Sequence, residues 1–404
     1  MKFLGRLLGF SIVLCVVGVG CNDGGCEGTG CSGGEAGGDG STGPTEITLQ
    51  VEDFIAGLSK PWDIAWLPNG TVLVTERTGQ LNIYLDGADE APLTIPLTDV
   101  IAAGEGGLMG LDVDPQFASN GYIYLCTTSA AGAEDDVRVV RLRLRRPDGD
   151  AVEGREDIVT GIPYRASGPA GRHSGCRPRF GPDGFLWVGT GDAAFGTTPQ
   201  ANDSLGGKVL RVDRDGAAAP DNPSGFLWYS KGHRNIQGMA FRSDGIRMSA
   251  EHGPDVDDEV NPLVQGNFGW DPTPGAYNES VPMTDLARYP DAVEAAWSSG
   301  SPTLAVSGAD FVEGPQWGSW NGALMVATLK AQHLHVLFVD SEGVVTGELR
   351  AIEDQGRLRT PRQGPDGLLY ITTDGDSGTG RVLQVTPIAA PRGPSGRVFG
   401  DNPG

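Results

Sequence analysis

A chain of 404 residues, 39% hydrophobic and 20% charged, is long enough to bury a substantial core. Its 63 glycines and 28 prolines suit a protein of many turns. A formal net charge of −22 argues against nucleic acid, whose affinity rests on Lys/Arg–phosphate contacts, and against docking on anionic lipid.

Met1–Arg6 is short and basic, Leu7–Val19 is an apolar run too short for a membrane span, and small residues lead to Cys21. This is the pattern of a secretory signal over residues 1–20. Val19-Gly20-Cys21 resembles the end of a bacterial lipoprotein processing site, which would put a lipid on Cys21; ordinary cleavage and release is the alternative. Both readings export the protein to the periplasm or cell surface. Residues 21–45 are rich in Gly, Ser and Asp and read as a flexible tether. Cys26 and Cys31 lie in it and are able to pair. Cys126 and Cys176 are alone in the folded region; an oxidising compartment allows a bond between them, which sequence leaves open. No cysteine spacing matches a zinc site.

From residue 46 onward the chain repeats. Asn-Gly or Asp-Gly pairs occur at Asn69-Gly70, Asn120-Gly121, Asp183-Gly184, Asp244-Gly245, Asn321-Gly322 and Asp366-Gly367. Each leads into a strand-like sextet: TVLVTE, YIYLCT, FLWVGT, IRMSAE, ALMVAT and LLYITT. Such pairs between apolar runs signal hairpins with both turn residues at positive φ. A further β run follows several sextets, among them QLNIYL, VRVVRLRL and RVLQV, and no long helical period interrupts them. Spacings of 51, 63, 61, 77 and 45 residues between pairs leave room for insertions. Multi-stranded units of this size predict propeller blades. The expectation is an all-β, six-bladed β-propeller over residues 46–388, with Ile47–Val51 completing the last blade and a disordered tail at 389–404. Two packed sandwiches are the alternative, which the sextet repeat disfavours.

In a propeller the inner strand ends converge on the central channel, so residues distant in sequence meet there. Within Gly171–Asp192, His173 is expected at the start of one strand and Asp192 at the end of its partner. A neutral imidazole there takes a proton near pH 7, although a lone histidine is more often structural. Lys231–Gly238 is dense in donors, and Arg234 and Asn235 suit a carboxylate and a carbonyl. Glu251–Asn261 holds five acids around Gly253-Pro254. Hard cations take such oxygen ligands, backbone carbonyls included; without EF-hand spacing, a solvated acidic loop is the plain alternative. Lys330 follows the fifth sextet, and Arg357 and Arg359 face one side of a strand. Arg234, Lys330, Arg357 and Arg359, at matching blade positions in an acidic chain, imply a polyanionic ligand.

The stretches GRHSGCRPRFGPDG, SLGGKVLRVDRDG, KGHRNIQGMAF, EHGPDVDDEVN, TLK and RLRTPRQGPDG resemble, in this order over residues 52–386, the soluble PQQ-dependent aldose sugar dehydrogenases. The resemblance implies a six-bladed propeller using pyrroloquinoline quinone (PQQ) and calcium. It implies a small sugar substrate, oxidised to the lactone, and a small or protein electron acceptor. His173 would be the general base, taking the proton of the anomeric hydroxyl as hydride passes to the quinone. Arg234 and Asn235 would contact quinone oxygens, and Lys330, Arg357 and Arg359 would hold the cofactor's carboxylates. Thr303 would touch the cofactor, and the carbonyls of Gly253 and Pro254 would ligate calcium.

There are departures from the family pattern. Glu105 stands where glutamine is frequent, and a carboxylate near an anionic cofactor needs a partner or a proton. Arg172 replaces an acidic residue before the base of the glucose-oxidising member; Cys176 and Thr360 also depart. Glu105 is expected at the cofactor, Arg172 and Asp192 at the substrate, and Arg172 and Glu105 are expected to pair. A non-catalytic binding propeller and a calcium-dependent propeller lactonase are the competing functions.

Overall fold

Each sextet forms the second strand of an antiparallel sheet, and the segment before it forms the first. The first two strands of the six sheets are Pro61–Trp66 and Val72–Glu76, Leu108–Val113 and Tyr122–Ser129, Arg177–Phe180 and Leu186–Gly189, Ile236–Phe241 and Arg247–Glu251, Val306–Phe311 and Leu324–Thr328, and Leu358–Gln363 and Leu369–Thr373. Third and fourth strands follow in chain order in blades 1 to 5. The computed structural model describes residues 47–388, except 86, 87, 89, 147, 224 and 274, together with the strand Ile12–Leu14, which pairs with Leu49–Val51. The rest of the expected signal, the tether with Cys21, Cys26 and Cys31, and the tail 389–404 lie outside the described residues.

The sheets form the expected six-bladed ring. The first strand of each blade packs on the first strand of the next, and blade 6 returns to blade 1. Closure comes from the N-terminal side: Thr48–Leu58 pairs with Gly380–Ile388 as the fourth strand of blade 6. First strands are buried on both faces, as their near-continuous apolar and small residues require. Six apolar clusters fill the six interfaces between blades, for example Ala65, Leu73, Leu108 and Leu125 between blades 1 and 2.

The turns differ from expectation. Gly70, Gly121, Gly184, Gly245, Gly322 and Gly367 have φ between 74° and 101°, but the Asn or Asp before each does not reach positive φ. In blade 1 the Gly70 N–H donates to Leu67 O, and the Leu67 N–H to Thr71 O, both at 2.9 Å. This is a type I turn followed by a left-handed glycine, the three-residue hairpin. In five of the six turns the Asn or Asp also ties the turn to the strand that follows, its side-chain oxygen accepting the N–H two residues on, as Asn69 does from Thr71 at 3.1 Å and Asp366 from Leu368 at 3.1 Å. Asn321 in blade 5 accepts the Gly314 N–H at 2.8 Å instead.

Charged residues brace the channel. Asp63 of blade 1 is fully buried and takes Arg177 at 2.7 Å and Arg179 at 2.9 Å, both from blade 3. Arg362 of blade 6 reaches Asp112 of blade 2 at 2.7 Å. Cys126 and Cys176 form a disulfide that ties blade 2 to the segment entering blade 3, with Cα atoms 5.9 Å apart.

Candidate functional site

His173 lies in the loop ahead of Arg177–Phe180, not at the strand's start, and its φ is 51°. A non-glycine residue in this region is uncommon, and such residues concentrate at functional sites. Two glycines bring the neighbouring loops onto it. A Cβ at Gly191 would stand 1.9 Å from the His173 carbonyl oxygen, so only glycine lets Asp192 approach. A Cβ at Gly171 would stand 1.9 Å from Ala103 O, so the loop carrying Glu105 lies against the histidine loop.

The ring of His173 is held by Asp192, whose Oδ1 is 2.8 Å from Nδ1. Asp192 Oδ1 also accepts the Ala194 N–H at 2.7 Å, while Oδ2 accepts Trp270 Nε1–H at 2.8 Å and Tyr277 O–H at 2.7 Å. Burial works against the Asp192 carboxylate, yet His173, Arg234 and the Trp270 indole together hold its pKa below the ordinary value. On the other nitrogen, the Arg172 Nε–H points at Nε2 from 3.2 Å. Arginine only donates, so Nε2 is the acceptor and Nδ1 carries the proton. The sequence pattern puts Asp192 at the substrate. In the structure that carboxylate is fully buried behind the ring with both oxygens engaged, and it fixes the orientation of the imidazole.

Glu105 is half-buried beside the same loop. Burial raises its pKa, but His173 and His252 beside it, the Asn235 amide and the His173 backbone N–H outweigh that and leave it lowered. Asn235 donates to Glu105 from 3.0 Å and accepts the Gly175 N–H at 3.1 Å. The expected Arg172–Glu105 pair does not form. Arg172 is drawn instead to Glu279, which also takes Arg234 Nη2 at 2.5 Å.

A polar chain leads from Glu105 to the cations. Gln237 Nε2 lies 3.5 Å from Glu105, and Gln237 Oε1 accepts Arg359 Nη1 at 3.0 Å. Arg359 Nη2 and Arg357 Nε converge on Asp374 at 3.0 and 3.1 Å. Burial penalises Asp374, but these arginines hold its carboxyl well below the usual range. Arg77 joins them: burial and the charges of Arg359 and Arg357 push its pKa down, against Asp374 and Glu105. Lys330 is exposed, and the carbonyl of its neighbour Leu329 accepts Arg357 Nη1 at 3.3 Å. Nε of Arg359 and Nε of Arg234 are buried and meet no acceptor among the described residues. Cations exceed carboxylates here, and spare donors remain, as a polyanion site requires.

The profile of the glucose / sorbosone dehydrogenase family matches residues 58–384. The chain belongs to this family. It is 32% identical to aldose sugar dehydrogenase YliI of Escherichia coli over 364 residues, covering 84% of this chain and 93% of that one. A putative oxidoreductase (glucose dehydrogenase) of Thermus thermophilus shares the fold with a TM-score of 0.71 at 36% identity, over 83% of this chain and 99% of that one. The PQQ-bound aldose sugar dehydrogenase of Streptomyces coelicolor gives 0.68 at 28% identity, over 84% of this chain and 99% of that one.

In this sugar dehydrogenase Glu251 and Glu259 meet on the Asn261 amide, and Asp258 is held apart from them. Glu251 takes His233 Nδ1 at 2.8 Å and the Arg234 backbone N–H. Asp258 accepts Gly253 N–H at 2.9 Å, Thr303 O–H at 2.7 Å and the N–H groups of Leu304 and Ala305 at 2.6 and 2.9 Å. Thr303 therefore braces this loop. Among the described residues no group of three or more His, Cys, Asp or Glu is arranged to hold a metal. The Gly253 carbonyl is met by His252 Nδ1 at 2.6 Å.

Sequence reading misses Arg77, Trp270, Tyr277 and Glu279. Arg77 has a signal: it directly follows the first sextet, as His252 and Asp374 follow theirs and Asp192 and Lys330 come one residue later. Trp270, Tyr277 and Glu279 sit in the long insertion between the third and fourth strands of blade 4, where no repeat marks positions.

Proposed function

We propose that the protein oxidises the anomeric hydroxyl of an aldose to the lactone with PQQ as hydride acceptor. The observation that carries this reading is the junction of an oriented base, His173–Asp192, with a cation group, Arg77, Arg357 and Arg359, through Glu105 and Gln237. A tricarboxylate cofactor suits that group. Arg357 and Arg359, with Lys330 at the rim, would take its carboxylates, and Arg234 and Asn235 would face its quinone oxygens. When bound, PQQ supplies a two-electron acceptor that no amino-acid side chain offers.

The chain's own residues supply proton chemistry. Nε2 of His173 takes the hydroxyl proton, and Asp192 stabilises the imidazolium that results. Tyr277, kept protonated by burial and by Asp192, and Trp270 fix that carboxylate by donating to it. A calcium ion at the Gly253 and Pro254 carbonyls would act as a Lewis acid, and His252 Nδ1 is the group it would displace from Gly253. A lactonase needs carboxylates gathered on one metal, whereas Glu251, Asp258 and Glu259 are engaged by protein donors, the two glutamates sharing the Asn261 amide. Export, with Cys21 as lipid anchor, would place the reaction outside the cytoplasm. Among the described residues no helix is long and apolar enough to cross a membrane.

The test is reconstitution of the purified protein with PQQ and calcium, following dye reduction over a panel of aldoses. Turnover that needs PQQ, and that His173→Ala removes while PQQ still binds, is the expected result. Turnover without PQQ, or undiminished in His173→Ala, overturns the reading.

A further inference from the structure

Glu279 joins the two arginines nearest the base. Its Oε1 takes Arg234 Nη2 at 2.5 Å, its Oε2 takes Arg172, and Oε1 stands 4.0 Å from His173 Nε2. Arg172, held this way, aims its Nε–H at Nε2 from 3.2 Å and lies over the Tyr277 ring, 5.8 Å from its centroid. The lone pair that must receive a substrate proton is thus engaged by an arginine donor. Arg234 is otherwise fixed by the His252 carbonyl at 2.7 Å and by the Trp270 face, so Glu279 is its exchangeable partner. The Glu279 side chain is 31% exposed and comes from the blade 4 insertion, outside the strands of the ring. It can move without breaking the core.

We propose that Glu279 is a latch on the base. It holds Arg172 over His173 Nε2 and competes, through its own carboxylate, for Arg234. Arg234 is the buried anchor of this carboxylate, so an anionic ligand that takes Arg234 releases Glu279, and Arg172 swings off Nε2 with it. Glu279 and Arg172 are positioning residues in this scheme, not proton carriers. Its ligand arm rests on the PQQ reading; its histidine arm does not.

The experiment compares wild type, Glu279→Gln and Arg172→Ala, each checked for an unchanged melting temperature. The first readout is the rate of carbethoxylation of His173 by diethylpyrocarbonate, followed by mass spectrometry of its peptide. The second is PQQ affinity by titration calorimetry. Glu279→Gln is expected to speed labelling several-fold and tighten PQQ about tenfold, the scale of one charge-assisted hydrogen bond. Arg172→Ala is expected to speed labelling alone, because Glu279 stays on Arg234. Labelling of His173 at the wild-type rate in both variants overturns the latch. PQQ bound no more tightly by Glu279→Gln than by wild type overturns the competition for Arg234. If none of the three proteins binds PQQ, the cofactor reading fails, and the labelling rates still decide the latch.

Discussion

Oδ1 of Asp192 stands 2.8 Å from Nδ1 of His173, and the other oxygen of that carboxylate is taken by Trp270 and Tyr277. Every partner of the Asp192 carboxylate is a donor. Asparagine at this place would set one N–H₂ against donors and favour the wrong ring tautomer, with the proton on Nε2. Asp192→Asn is therefore expected to lower kcat by roughly 10²–10⁴, the range a positioned general base supplies, with PQQ affinity unchanged. Steady-state kinetics of the reconstituted protein beside a PQQ titration checks this. An equal loss in affinity would show that Asp192 shapes the cofactor site instead.

Arg359 is 4% exposed and divides its guanidinium between Gln237 and Asp374, with Nε spare. Glutamine there removes the charge and leaves Asp374 with Arg357 alone as a directly bonded arginine. Arg359→Gln is expected to weaken PQQ binding by about tenfold to a hundredfold, the effect of losing one or two charge-assisted hydrogen bonds. Arg77→Gln is expected to act in the same direction through field alone, with a smaller change. Calorimetric titration of both variants separates the two roles.

The ring is legible in the sequence because each blade repeats one local signal, an Asn-Gly or Asp-Gly pair followed by an apolar sextet. Local chemistry survives insertion, so spacings from 45 to 77 residues do not hide it. The turn type is not legible, because the same dipeptide serves a two-residue and a three-residue hairpin. In the site, His173, Arg234, Asn235, Arg357 and Arg359 stand out as residue types. Their partners do not. That Arg172 turns to Glu279 rather than Glu105 depends on a segment more than 100 positions away, whose path the repeat does not set. Asp192 falls just past a strand end, close to its expected place, but whether it faces solvent or the back of the imidazole is decided by Trp270 and Tyr277.

Asp63 offers a test of the channel brace. Burial raises its pKa, but Arg177 and Arg179 outweigh that and hold it far below the ordinary carboxylate range. A depressed folded value means the carboxylate contributes stability above about pH 4, the unfolded value, and loses it as pH falls through the folded one. Asp63→Asn would leave two buried guanidiniums without their counter-ion. It is expected to destabilise the protein by about 3–5 kcal/mol near pH 7, and by less at pH 3. Chemical denaturation at both pH values measures the difference; an equal loss at each would mean that shape, not charge, holds this site.

Glu259 works in the opposite sense. It lies directly across from Glu251 on the neighbouring strand, beneath Thr284 of the blade 4 insertion, and both carboxylates lean on the Asn261 amide. Burial, then the charges of Glu251 and Asp257, push its pKa up to about 8, against the Asn261 and Thr284 hydrogen bonds. The folded protein therefore holds a proton that the unfolded chain releases near pH 4.5, and stability from this group falls as pH rises from there to about 8. Lys208, pushed down to about 7 by burial, gives a rise between pH 7 and 10.5, so the effect must be read as variant minus wild type. Glu259→Gln mimics the protonated acid. It is expected to gain about 2–4 kcal/mol relative to wild type on going from pH 5 to pH 8. Melting curves across that range would show the two proteins diverging with pH; parallel curves would mean that Glu259 is ionised in the folded protein and shares its site with a cation.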